Sequence, residues 1–356
     1  TLSEAFHKTD DIEGIRFSSY THDSEMNPSE ELNPLTSGKV DNSWLNSVEI
    51  NVSNEKEANA KALKVLMTGA DALIFNLPSG KVDLQVLLEG ISLEFITTHF
   101  TVNNLEQFNE LNTKFKNTDY AIFYRVDDSK VNIQEYIKGN DGNQKPFCFV
   151  DGYKIQQVGA SVQQELAYTL SKANEYLSSL LSEGFSVGEA ASLVHFNFGI
   201  GSNYFNEIAK IRAFKTMWLF ILEKYGFVEG KDAYVNISAT IGFVNKSLKD
   251  PYTNLLRQST EAMSAIVSGV DMLTILPYDS ISTKGASDFS LRMAQNIPLI
   301  LKEESYFDKV VDPLSGSYSI EKLTKEVQNI SWKLFQKLES LGGVDNVECQ
   351  EYFVSE

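Results

Sequence analysis

Four histidines, His7, His22, His99 and His195, carry the widest chemical repertoire in this chain, because imidazole can act as acid, base or metal ligand near neutral pH. No two stand at the spacing of a helical metal pair. Neither GxSxG, HExxH nor a Ser/His/Asp ordering occurs, so nucleophilic and zinc chemistry have no support and no metal ligand is assigned. His7 and His22 fall in a polar, irregular stretch and read as solvated. His99 closes a strand-like run, which would put it on the carboxyl rim where barrel enzymes place catalytic groups. It is the one candidate for an activity of the chain's own, against the commoner role of a hydrogen-bonded structural histidine. His195 falls in the middle of a strand-like run and reads as structural.

Other candidates read as architecture. Asp250 and Asp312 each precede a proline, the setting of a helix N-cap or a turn. The stretch GIGSNYF at 199–205 lacks the GxxxxGK[ST] or GxGxxG spacing that gathers several amides onto a phosphate, and reads as a βα loop. Cys148 and Cys349 lie roughly 200 residues apart, neither a disulfide framework nor a metal pattern, and read as free thiols.

These residues need a large scaffold. The chain has 356 residues, 42% of them hydrophobic, which fits two domains or one α/β barrel with extensions. A net charge of -17 repels nucleic acid. No apolar run approaches the roughly 20 residues that cross a bilayer, and the acidic start TLSEAFHKTDDIEG is unlike a targeting peptide, so a soluble cytoplasmic protein is expected.

From Val48 onward, short β-branched or aromatic runs alternate with helical stretches, the pattern of βα units around a parallel sheet. Eight strands are expected, at 47–52, 72–77, 93–99, 120–125, 146–150, 193–198, 233–238 and 271–276. Ser161 with Gln164 forms a capping box, and Gly184 ends the helix that it opens. Asp250 and Pro251 open a helix that runs to Ser268, and Asn203 to Tyr225 forms another. TGADALIF at 68–75 and SGVDMLTI at 268–275 read as one αβ junction used twice, with Gly69 and Gly269 at positive φ and Asp71 and Asp271 at the strand entry. The expectation is a (β/α)8 TIM barrel over residues 46–340, an extended amino-terminal arm over 1–45 and a tail over 341–356. Phe75, Phe123, Phe149 and Phe196 are expected to point inward and fill the barrel.

NYFNEIAKIRAFKTMW at 203–218, DPYTNLLRQSTEAMSAIVSGVDMLTILPYD at 250–279, RMAQNIPLILKEE at 292–304 and VVDPLSGSYSIEKLTKEV at 310–327 together resemble the barrel domain of methylmalonyl-CoA mutase. VDGYKIQQVGASVQQELAYTLSKANEYL at 151–178 and VLLEGISLEF at 86–95 extend the resemblance across most of residues 45–340. It implies a (β/α)8 barrel whose catalytic relatives hold methylmalonyl-CoA along the axis, while a flavodoxin-like domain presents adenosylcobalamin for rearrangement to succinyl-CoA.

The departures from that pattern are informative. Where catalytic chains carry Arg-Gln-Tyr before the first strand, this chain reads WLNSVEINV, and where they carry Thr-His-x-Gln-Thr-Ser-Gly it reads NISATIGFVNKSLKDPY. The family histidine falls at Ile237 or Ser238; Ile has no polar group and Ser is too short to take its place. The Asp-x-His-x-x-Gly motif of the cobalamin domain is missing, because none of the four histidines has an aspartate two residues before it. The resemblance therefore implies the non-catalytic small subunit of a heterodimeric mutase, binding no cofactor itself and partnering a catalytic large subunit. The cobalamin-binding domain is taken as absent from this chain. The alternative is a divergent acyl-CoA mutase or other barrel enzyme using His99.

Overall fold

The computed structural model describes residues 7–9, 14–18, 21, 39–126, 136, 146–227, 235–283 and 285–347. His22 and Cys349 lie outside these. Two short strands, β1 (His7–Thr9) and β2 (Arg16–Ser18), pair antiparallel. Eight more close a parallel barrel: β3 (Leu45–Asn51), β4 (Ala72–Asn76), β5 (Thr97–Val102), β6 (Ile122–Val126), β7 (Pro146–Asp151), β8 (Val194–Gly199), β9 (Ile237–Ile241) and β10 (Met272–Ile275). Strand β10 closes the ring onto β3. The expected (β/α)8 barrel is the observed fold.

All eight expected strands exist, but two are displaced. The run at 93–99 begins with a 3-10 turn at Leu93–Phe95, and β5 starts only at Thr97; likewise β9 starts at Ile237 rather than at 233. In both cases an apolar run continues from the connection into the strand, and composition cannot mark where the ladder begins.

The helices are α1 (Glu55–Leu66), α2 (Leu84–Leu87), α3 (Leu105–Phe115), α4 (Gly152–Gln157), α5 (Val162–Ser182), α6 (Val187–Ser192), α7 (Tyr204–Lys224), α8 (Thr253–Val267), α9 (Asp288–Glu303) and α10 (Tyr318–Ser340). The capping box of Ser161 and Gln164 opens α5, and Gly184 follows it at φ 92°. Helix α8 begins later than expected. Asp250 does not cap it; the Asp250 carbonyl instead accepts from the Thr253 hydroxyl at 2.8 Å, and a turn at Pro251–Tyr252 precedes the first helical residue.

Strand alternation sorts side chains into two layers. Outward residues form the main core between sheet and helices, where Phe196 packs edge-on against Phe214 and Trp218 of α7, with ring centroids 4.6 and 5.3 Å away. Phe75 stacks on Phe100, which in turn stacks on Phe115 of α3. The expectation that Phe75 and Phe196 fill the barrel is thus corrected: both face the helices. Each lies one residue off the inward register, and a one-residue shift in a strand changes the face. Phe123 and Phe149 do point inward, as expected.

The repeated junction is real in detail. Gly69 and Gly269 both take positive φ, 104° and 80°. The Asp71 amide donates to the Asn46 carbonyl at 2.8 Å while its carboxylate accepts from the Asn46 amide at 3.3 Å. Asp271 makes the same reciprocal pair with Ile237, at 2.7 and 2.8 Å. Each aspartate thereby fixes the start of its own strand against the neighbouring one.

Candidate functional site at the barrel axis

The inner wall is built from alternate residues of each strand, and its lower part is aromatic. In β5 and β6 the register sets His99 opposite Phe123, and in β7 and β8 it sets Phe149 opposite His195. His99 stacks on Phe123 at 5.0 Å between centroids, Phe147 meets its edge at 5.8 Å, and Phe147 stacks on His195 at 3.9 Å. Above them the Arg125 guanidinium lies over the Phe149 ring, 4.2 Å from its centroid. These groups occupy the middle of the axis.

His99 does not stand on the carboxyl rim. It is the third residue of β5, inside the barrel towards its amino-terminal end, because the strand begins four residues later than its composition suggests. Burial, the Arg125 charge and His195 hold its imidazole neutral, well below the usual histidine range. Burial and Arg125 do the same to His195, which is pushed down to about 3. The two histidines were unrelated in sequence, and the fold brings them onto one aromatic cluster.

Of the two positions onto which the family histidine falls, Ile237 is buried in the outer apolar layer and Ser238 alternates to the inside, opposite Asn197 and Met272. Arg125 and Phe147 were not singled out from sequence, although the signal was present. A charged residue two positions after Phe123 in the run YAIFYR shares its face, and Phe147 has the same relation to Phe149.

Polar side chains line the carboxyl half of the wall. Asn76 donates to the Asn51 side chain at 2.9 Å and contacts Glu49; Thr101 donates to Asn76 at 2.8 Å. On the other side Asn197 donates to Asp151 at 2.8 Å and accepts from Thr240 at 3.1 Å. Helix α4 follows β7 directly and folds over the β8 and β9 side of this end. Gln157 accepts from the Phe243 amide at 3.1 Å, and a Cβ added at Gly242 would meet the Tyr153 ring and hydroxyl at 2.6 Å. Glycine is needed there for room, not for conformation.

The two glycine amides of the GIGSNYF loop are already taken. Glu165 of α5 accepts from the Gly199 amide at 2.8 Å, and Glu207 of α7 accepts from the Gly201 amide at 3.0 Å. Between these carboxylates lies the fully buried Lys210 ammonium, 2.7 Å from Glu165 and 2.5 Å from Glu207. The chain's own carboxylates stand where a phosphate would have to bind, as the missing motif spacing implied.

Two further resemblance segments are joined by ion pairs. Arg212 of α7 pairs with Asp312 and with Glu321 of α10 at 2.7 Å, and Glu321 also accepts from the Gly316 amide. Asp312 holds φ at 45°, rare for a side-chain-bearing residue, and sits in a turn rather than at a helix N-cap. Cys148 is buried as a free thiol, with its pKa raised by burial.

At the opposite, amino-terminal end a cavity of about 740 Å³ opens between the strand starts. Trp44, Leu45, Ile96 and Met272 form its walls, while His99, Phe123 and His195 form its floor. No group of three or more metal-ligating side chains occurs among the described residues.

Residues 126–353 match the family described as methylmalonyl-CoA mutase. The methylmalonyl-CoA mutase small subunit of Porphyromonas gingivalis is 35% identical over 95% of this chain and 58% of its own length. The small subunit of Propionibacterium freudenreichii subsp. shermanii is 34% identical over 57% of this chain and 32% of its own, and the mutase of Rhizobium meliloti is 37% identical over 55% and 27%. The chain thus spans little more than half the length of the first of these relatives and about a third or less of the others. With the closed barrel, the matched segments and this similarity together, the chain belongs to the methylmalonyl-CoA mutase family.

Proposed function

We propose that this chain is a non-catalytic small subunit that pairs with a catalytic large subunit of a cytoplasmic methylmalonyl-CoA mutase and supports it. The large subunit carries out the adenosylcobalamin-dependent conversion of methylmalonyl-CoA to succinyl-CoA. The observation that carries this reading is the occupied barrel axis. Phe123, Phe147, His195 and the Arg125–Phe149 pair fill the middle of the path that an axial substrate would need. Ser238, the inward position of the two that align with the family histidine, is too short to replace an imidazole at a thioester carbonyl.

Neither His99 nor His195 suits a cobalt ligand. His99 and His195 are held inside the barrel by aromatic stacking, without the preceding Asp of the cobalamin motif. No step of the reaction is assigned to this chain. The alternative, an enzyme relying on His99, loses its premise with that residue in the lower interior rather than at the rim.

Co-expression with a catalytic mutase chain, followed by size exclusion and activity assay, tests the reading. A 1:1 complex whose catalytic chain is more stable than when alone is expected, and the isolated small chain should show no turnover with methylmalonyl-CoA and adenosylcobalamin. Separate elution at micromolar concentration, with the catalytic chain equally active and stable by itself, would sink it.

A further inference from the structure

Helix α10 stands outside the barrel proper. Helix α9 already packs against β10 and β3 in the eighth helical position, and α10 instead lies across α5 and α7, with β2 approaching it as well. It can therefore move without opening the ring of strands.

The buried face of α10 is divided. Ile320, Leu323 and Val327 form one apolar group, and Phe335 and Leu338 form another. Polar residues at helical spacing lie between them. The Gln328 Oε1 and the Ser331 hydroxyl are buried with no hydrogen-bond partner among the described residues, as is the Thr324 hydroxyl one turn earlier. Unpartnered buried polar groups weaken the packing where they stand, so the helix is held least well at its middle.

The two halves are also fastened differently. At the amino-terminal end Arg212 pairs with Glu321 at 2.7 Å, and the two side chains are only 4% and 8% exposed. At the carboxyl-terminal end Ser171 and Asn174 of α5 donate to Glu339 at 2.5 and 2.8 Å. The chain then turns through Gly342 and Gly343, both at positive φ, and Lys172 of α5 grips Asp345 at 2.5 Å while also holding Glu175 at 3.1 Å. The Asp345 side chain is 53% exposed, so salt reaches this clasp far more readily than it reaches the Arg212 pair.

We propose that the carboxyl half of α10 and the turn after it, residues 332–346, form a strap that opens as a unit from the intact barrel, hinged at Gln328–Ser331 and released when the Lys172 clasp is screened or broken. Opening bares the buried Phe335, Leu338 and Val344 while the barrel stays closed, and so exposes an apolar surface under the control of ionic strength. The strap belongs to the outer layer alone and needs neither the partner subunit nor the barrel axis.

Amide hydrogen exchange of the full chain, read by mass spectrometry, tests this. Amides of residues 332–340 should exchange at least about tenfold faster than those of β7 and β8, with residues 320–327 between the two. Raising NaCl from about 0.1 M to about 1 M shortens the screening length from about 10 Å to about 3 Å. It should speed exchange in 332–340 severalfold and leave 320–327 nearly unchanged. Lys172→Met should speed the strap about tenfold, the worth of a charged hydrogen bond, whereas Ser331→Ala, which removes an unpartnered hydroxyl, should slow it. Protection of 332–340 equal to that of the barrel strands, an equal salt response in both halves of α10, or faster opening after Ser331→Ala overturns the proposal. The salt comparison uses the unmodified chain and decides the matter even if Lys172→Met does not fold.

Discussion

The Glu165 carboxylate grips the Lys210 ammonium at 2.7 Å with one oxygen and the Gly199 amide at 2.8 Å with the other, tying α5, α7 and the end of β8 together in the interior. Glu207 adds a second carboxylate to the same lysine. Lys210→Met should leave two buried acids without a cation and cost about 3–5 kcal/mol, the usual penalty for breaking a buried pair from one side. Urea unfolding measures it. A loss below about 1 kcal/mol would mean that water already reaches the cluster.

The same cluster gives a pH signature. Burial, and secondarily Glu207, raise the Glu165 pKa from 4.5 to about 7, although Lys210 pulls it down. The folded state therefore holds this proton more tightly than the unfolded chain. Its contribution is full below about pH 4.5 and is lost as pH rises through about 7. Glu165→Gln should remove that part of the slope between pH 5 and pH 8 in denaturation midpoints; an unchanged slope would assign it to other groups.

The buried histidines act in the opposite sense. With its pKa lowered to about 3, His195 contributes stability that is full above about 6.5 and is lost as pH falls below it, and His99 acts in the same direction. Both imidazoles should stay neutral at pH 5.5 in 15N NMR spectra of the folded chain. Titration of either near 6.5 would show that the aromatic cluster is open to water.

Room at the carboxyl end can be tested by filling it. Gly242→Ala would press a methyl against the Tyr153 ring. It should destabilise by about 1–3 kcal/mol, as overpacking does. Hydrogen exchange should quicken in α4, because that helix must lift for the methyl to fit. Gly184→Ala meets no atom within 4 Å and should show only the cost of its positive φ.

Arg212 offers a test of fork geometry. It reaches Asp312 and Glu321 through different nitrogens. Arg212→Lys keeps the charge but cannot serve both acids in the same way, so a loss of about 1–3 kcal/mol is expected in thermal or urea unfolding. Full retention of stability would indicate that only one of the two pairs contributes.

Much of the architecture was legible because it depends on local rules. Strand alternation, the Ser161 capping box and the glycines at positive φ after α1, α5 and α8 are written in short stretches of residues. The junction shared by Asp71 and Asp271 was visible as a repeated word with an aspartate at each strand entry, and the structure adds the reciprocal backbone pair that each aspartate makes. The words of 203–327 also placed the chain in its family.

Tertiary structure decided which face each residue served. Phe75 and Phe123 look alike in sequence, but a difference of one residue in register sends the first to the helices and the second to the axis. His99 moved from an expected rim position into the interior because β5 starts at Thr97, a boundary set by pairing with β4 and β6 rather than by composition. The meeting of His99 with His195, and of Glu165 with Lys210, needs the ring to close. Contacts between residues 45 or 96 positions apart exist only once eight strands have fixed their mutual register, and no local propensity encodes that.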